Sequence, residues 1–87
     1  MTENVKPILI NFISENYLKG REIEDLENVS FLDRGIIDSV AVIEIVAFLK
    51  ERFGIAVEDE DIIPDNLDSI NKLESYVNRK LHDSPRF

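Results

Sequence analysis

The chain contains no cysteine. That excludes disulfides, thiolate metal sites and a cysteine nucleophile, so any thiol chemistry has to be brought by something bound to the protein. Positive charge is also scarce: 10 Lys and Arg stand against 18 Asp and Glu, a formal net charge of −8. Nucleic-acid phosphates need Lys and Arg to neutralise them, so this balance argues against a nucleic-acid partner. Anionic membrane surfaces are disfavoured for the same reason. No basic N-terminal region precedes an apolar run, and no apolar stretch approaches membrane-spanning length, so no stable membrane insertion is expected. The three glycines stand alone at positions 20, 35 and 54, which leaves no Gly-rich loop to cradle a phosphate. The single histidine, His82, falls in what reads as a solvated tail, so a Ser-His-Asp triad lacks its base. These absences describe a soluble cytoplasmic domain that is not an enzyme, with basic partners steered to it by its charge.

What is present is helical periodicity. With 87 residues the chain has room for one small domain and one core. Val5, Ile8, Leu9, Phe12, Ile13 and Tyr17 recur at helical spacing and predict a first helix over about 4–18. Pro7 is compatible with it in the first turn, where a missing N–H costs no hydrogen bond. Residues 19–38 have no clean period but carry Ile23, Leu26, Val29, Phe31, Leu32, Ile36 and Ile37. So long a loop is unusual unless it is functional, and its apolar side chains are expected to pin it to the helices. A second helix is predicted over about 39–53, with Val42, Ile45, Val46, Leu49 and Phe53 on one stripe and Gly54 as its stop. A short helical turn is expected at about 59–63, closed by Pro64. The last helix, about 69–81, has Ile70, Leu73, Tyr76, Val77 and Leu81 on one face and Asp68 as its expected cap, and residues 82–87 read as a frayed tail. The architecture is all-α, a bundle of three to four helices with a long loop between the first and second.

The acidic run Glu58-Asp59-Glu60-Asp61, with Asp65 and Asp68, lacks EF-hand spacing and its turn glycine. It reads as a solvated segment, and no metal site is assigned. Ser39 is the residue with two readings. It stands where the loop Gly35-Ile36-Ile37-Asp38 turns into the second helix, so it is either a helix N-cap or a covalent attachment point. Beside it, on the side of the second helix away from the core stripe, lie Val40, Ile43 and Ala47, flanked by Glu44, Lys50 and Glu51. A helix that is apolar on two sides is either buried on both or docks a partner. Val40, Ile43, Glu44, Ala47 and Glu51 are therefore the candidate partner-binding residues.

The stretch Phe31-Leu32-Asp33-Arg34-Gly35-Ile36-Ile37-Asp38-Ser39-Val40, an apolar helix ending in Arg52-Phe53-Gly54-Ile55, and Asp65-Asn66-Leu67-Asp68-Ser69-Ile70 leading into the last helix together resemble the acyl carrier protein family over nearly the whole chain. The resemblance implies that Ser39 receives 4′-phosphopantetheine from coenzyme A through a phosphopantetheinyl transferase. The arm's terminal thiol would then carry an acyl or aminoacyl group as a thioester, which suits a chain with no thiol of its own. Asp38 matches the family's motif aspartate, with a role in orienting the loop or engaging the transferase. Val40, Ile43 and Ala47 match positions that contact partner enzymes. Two apolar residues separate Gly35 from Asp38, a spacing more similar to D-alanyl and other freestanding carriers than to fatty-acid carriers. Ala41, Lys50 and Arg52 occupy positions that are often acidic in the latter.

Three readings follow. The first is a monomeric freestanding carrier loaded by an adenylating acyl or aminoacyl ligase and emptied by downstream transferases. The second is a fatty-acid or polyketide acyl carrier. The third is an unmodified helical interaction module in which Ser39 only caps a helix.

Overall fold

Helix α1 (Val5–Ile13) tolerates Pro7 because the first-turn N–H groups have no acceptor within the helix. Val5, Leu9 and Ile13 follow one another at intervals of four and are buried. Continuing that stripe would bring Tyr17 into the core. Instead the chain enters a π-helical turn, Ser14–Leu18, whose extra residue buries Leu18 and leaves Tyr17 half-buried. The computed structural model describes residues 4–83. After α1 and the π turn it continues with α2 (Ser39–Phe53), a 3-10 turn (Asp59–Asp61), α3 (Pro64–Leu67) and α4 (Ile70–Asp83). Among the described residues there is no strand, and no helix is long and apolar enough to cross a membrane.

Helix α4 is the centre of the packing, with α1, α2 and α3 all touching it. Ile70, Leu73 and Val77 are fully buried, and Tyr76 nearly so. At about 1.5–3 kcal/mol for each large apolar side chain removed from water, this one face is a major source of stability. Helix α2 contributes Ala41, Ile45, Val46, Leu49 and Phe53. Val42, expected on that stripe, is only half-buried and faces a cleft, while the smaller Ala41 takes the buried place. Helices α1 and α2 meet through rings. Phe12 stacks on Phe48 with centroids 3.9 Å apart, and Phe48 meets Phe53 edge-on at 6.2 Å.

The long connection, residues 19–38, is held to the corner between α3 and α4. The buried Asp68 carboxylate accepts from Ser30 Oγ and, at 2.9 Å, from Leu32 N–H. The Asp68 carbonyl accepts from Phe31 N–H at 2.8 Å, and Phe31 is fully buried. Asn71 adds two bonds, from its N–H to Glu27 O and from Nδ2 to Asn28 Oδ1. Lys6 on α1 pairs with Glu27 at 2.9 Å and with Glu74 on α4 at 3.7 Å. Asp68 is therefore not the cap expected of it. That role belongs to Ser69, whose Oγ accepts from Lys72 N–H at 3.1 Å. Burying a carboxylate is costly without donors, and the loop supplies them.

Two boundaries also differ from expectation. Pro64 opens a helix instead of closing one: the 3-10 turn ends at Asp61, and Pro64 takes the first position of α3, where its fixed φ suits a helix start. Positions 82 and 83, expected in a frayed tail, are helical, since α4 runs to Asp83 and includes His82; residues 84–87 lie outside the described ones. The acidic run is not uniformly solvated either. Tyr76 donates to Asp61 Oδ2 at 2.8 Å, with Lys80 Nζ 3.6 Å from the same oxygen. The Tyr76 hydroxyl is the main reason the Asp61 carboxyl lies below the usual carboxylate range. Burial, and then the carboxylate, push the Tyr76 phenol above its ordinary value.

Candidate functional site

The approach to Ser39 is set by a closed turn. Ile36 N–H donates to Phe31 O at 2.8 Å and Gly35 N–H to Leu32 O at 3.1 Å. This nested pair requires a left-handed residue at its end, and Gly35 provides it at φ +67° without a side-chain penalty. The next two residues, Ile36 and Ile37, are buried, which gives the two-residue spacing between Gly35 and Asp38 a packing reason. Asp38 is then extended, at φ −129° and ψ −170°, and its Oδ1 accepts from Ala41 N–H at 2.9 Å. Asp38 is thus the N-cap of α2, an interaction worth about 1 kcal/mol.

Ser39 is the first residue of α2 and is exposed. The reading in which its hydroxyl caps the helix is corrected by this geometry, because Asp38 already fills that role. No carboxylate lies within the first turn itself. A phosphodiester on Ser39 Oγ would sit at the positive end of the helix dipole, near N–H groups that no residue of the helix can satisfy. The residues present therefore fit the cofactor that the motif implies.

The candidate partner residues divide by surroundings. Val40 and Ile43 are 63% and 70% exposed, and Ala47 and Glu51 are also exposed. The long loop does not fold over them. Glu44 is exposed too, but its Oε1 accepts from Tyr17 Oη at 2.7 Å. Burial first, and then this carboxylate, raise the Tyr17 phenol above its ordinary value.

On the other flank of Ser39 is a feature that sequence reasoning missed. An open cleft of about 220 Å³ is lined by Leu32, Ile37, Val42, Ile62, Ile63 and Leu67, together with Ser39 itself. Leu32, Ile62 and Ile63 remain 46%, 38% and 43% exposed. The signal was available in Ile62-Ile63-Pro64, a β-branched pair that a short connector has no need to expose. Its meaning depends on how the loop and α3 approach α2, and periodicity does not supply that.

A small all-α domain presenting an exposed serine at the start of α2, rimmed by apolar side chains, has the form of a carrier. The model of the phosphopantetheine attachment site family matches residues 18–77, and the chain belongs to that family. It is 25% identical over 79 residues to a D-alanyl carrier protein of Streptococcus suis strain 05ZYH33, covering 91% of this chain and 98% of that one. It is 36% identical over 55 residues to an acyl carrier protein of Buchnera aphidicola subsp. Schizaphis graminum, covering 63% of this chain and 67% of the relative. A chain in a structure described as "Crystal structure of FAD-dependent dehydrogenase" superposes with a TM-score of 0.68 at 26% identity, over 79% of this chain and 97% of that one. The protein is a carrier that holds acyl or aminoacyl groups on covalently attached 4′-phosphopantetheine. The group supplies the thiol that the sequence lacks. Carriers of this family are in general non-catalytic and interact with phosphopantetheinyl transferases and ligases.

Proposed function

We propose that Ser39 is the attachment residue, that Asp38 fixes its position, and that the enzymes serving the carrier dock on the apolar rim around it. The observation that carries this reading is the gathering of exposed large apolar side chains at one place. Among the described residues these are Leu32, Val40, Ile43, Ile62 and Ile63. Leu32, Ile62 and Ile63 line the cleft with Ser39, while Val40 and Ile43 lie within one turn of it on α2. Such a patch, with Glu44 and Glu51 among it, suits partners that present apolar and basic side chains.

The cargo in this reading is a short acyl or aminoacyl group, loaded in the cytoplasm by an adenylating ligase. Two observations support it. The cleft, at about 220 Å³, is smaller than the roughly 300–1,000 Å³ usual for ligand pockets and leaves a long acyl chain largely in water. Similarity to a D-alanyl carrier protein extends over 91% of the chain. The test is intact-protein mass before and after incubation with coenzyme A and a promiscuous phosphopantetheinyl transferase. The wild type gains one phosphopantetheine unit and Ser39→Ala gains none, with stability within about 0.5 kcal/mol of wild type because Ser39 is not the cap. Modification persisting in Ser39→Ala removes the site assignment.

The likeness to a chain in the FAD-dependent dehydrogenase structure supports a second class of partner, a flavoenzyme acting on the carried group. Co-elution of the loaded carrier with such a dehydrogenase is the expected result, and independent elution at micromolar concentration sets this partner aside.

A further inference from the structure

Three carboxylates that join elements of this fold lie beside cations, Glu27 and Glu74 beside Lys6 and Asp61 beside Lys80, while the buried Asp68 is held by Ser30 and the Leu32 N–H. Glu44 is treated differently. It lies on the exposed side of α2, between Val40 and Ala47, and its hydrogen-bond donor is the neutral phenol of Tyr17 at 2.7 Å. A phenol orients a carboxylate without cancelling its charge. It also occupies one of several acceptor positions and leaves the second oxygen open.

The path of the chain makes this contact. A regular helix continued from Val5, Leu9 and Ile13 would bury the Tyr17 side chain in the core. The π turn Ser14–Leu18 gives that place to Leu18 and brings Tyr17 to the boundary with α2. The ring is steadied there by an edge-on contact with Phe12, centroids 5.9 Å apart. Phe12 is in turn stacked on Phe48 of α2. Tyr17, Asp38, Val40 and Glu44 line one shallow depression beside Ser39. A phenol stays protonated, and so remains a donor, throughout the neutral range.

We infer that Tyr17 is a positioning residue for enzyme docking: its hydroxyl holds the Glu44 carboxylate in place to receive an Arg or Lys side chain of the enzyme that modifies Ser39. The inference rests on the reading of α2 as the docking surface. An exposed glutamate otherwise loses rotamer freedom when a partner immobilises it. Ordering it beforehand removes that cost from binding. The effect therefore belongs to association with the enzyme and not to the chemical step.

The experiment is steady-state transfer from coenzyme A to the full chain by a phosphopantetheinyl transferase, comparing wild type, Tyr17→Phe, Glu44→Gln and the double variant, with Ile43→Asp alongside. Ile43→Asp reports on the docking surface independently of Tyr17. The expected result is a KM raised roughly two- to tenfold in Tyr17→Phe with kcat unchanged. Glu44→Gln should raise KM at least as much, and the double variant should be no worse than Glu44→Gln alone. A wild-type KM in Tyr17→Phe overturns the positioning role. So do Tyr17 and Glu44 effects that multiply, because a structural contribution would be independent of the carboxylate. If Ile43→Asp still raises KM in either case, the docking surface itself stands. Wild-type KM in both Glu44→Gln and Ile43→Asp removes the surface and the positioning role with it.

Discussion

Helices α2 and α4 are of similar length, 15 and 14 residues, yet they use their apolar residues in opposite ways. On α4, Ile70, Leu73, Tyr76 and Val77 all point into the core, and the other side is polar. On α2, Ile45 and Leu49 are buried as deeply, but Val40 and Ile43 are 63% and 70% exposed. A fold has no use for the second set, since apolar side chains in water add nothing to stability and favour association. On the docking reading proposed above, the difference separates residues that serve folding from residues that serve encounter. It also puts the encounter side beside Ser39, at the helix end whose dipole suits a phosphodiester.

The strongest way to break this comparison is to exchange the penalties. Leu73→Ala on α4 should cost about 2–5 kcal/mol by leaving a cavity. Ile43→Asp on α2 should stay within about 0.5 kcal/mol, because it gives up no buried contact. Chemical denaturation of the two variants measures both. A large loss in Ile43→Asp would mean that α2 is covered in solution and would end the distinction.

A smaller effect sharpens it. Each helix has one tyrosine–carboxylate bond with a neighbouring element, Tyr76 to Asp61 and Tyr17 to Glu44. Asp61 is held below the usual carboxylate range, chiefly by the Tyr76 hydroxyl. Its contribution is therefore complete above the unfolded value of about 3.9 and is lost as pH falls through the lower folded value. Both phenols are raised, chiefly by burial. Their contribution is complete below the unfolded value of about 10 and declines as pH rises through the higher folded value. Stability measured against pH should thus fall at both extremes. Tyr76→Phe should weaken both the acid and the alkaline dependence. Tyr17→Phe should weaken the alkaline one, and an unaltered alkaline limb in both variants would show that neither bond persists in solution.

Much of the molecule was legible in the residue order. The apolar stripes of α1, α2 and α4 recur at helical spacing, and Gly54 stops α2 because a left-handed residue is needed there, at φ +68°. Asp38-Ser39 before an apolar helix marks the proposed attachment site, and the two-sided character of α2 is visible from Val40 and Ile43. These are local properties, fixed within a turn or two of the chain. The roles of Asp38, Asp68 and Ser69 were harder to assign, because each of these residues can cap a helix. Which of them does so depends on what else competes for its oxygen. Asp68 gives its carboxylate to Ser30 and Leu32, 38 and 36 residues away, leaving α4 to Ser69.

Residue order alone makes this a small, acidic, thiol-free helical chain with an Asp-Ser motif at a helix start. Periodicity, capping chemistry and charge act over short range and are read directly from neighbouring residues. Long-range packing is what takes Tyr17 out of the core to Glu44, forms a cleft from Leu32 and Ile62-Ile63 beside Ser39, and hangs the loop from Asp68. These arrangements join residues far apart in sequence. Their donors and apolar surfaces have several acceptable partners until packing around α4 selects one.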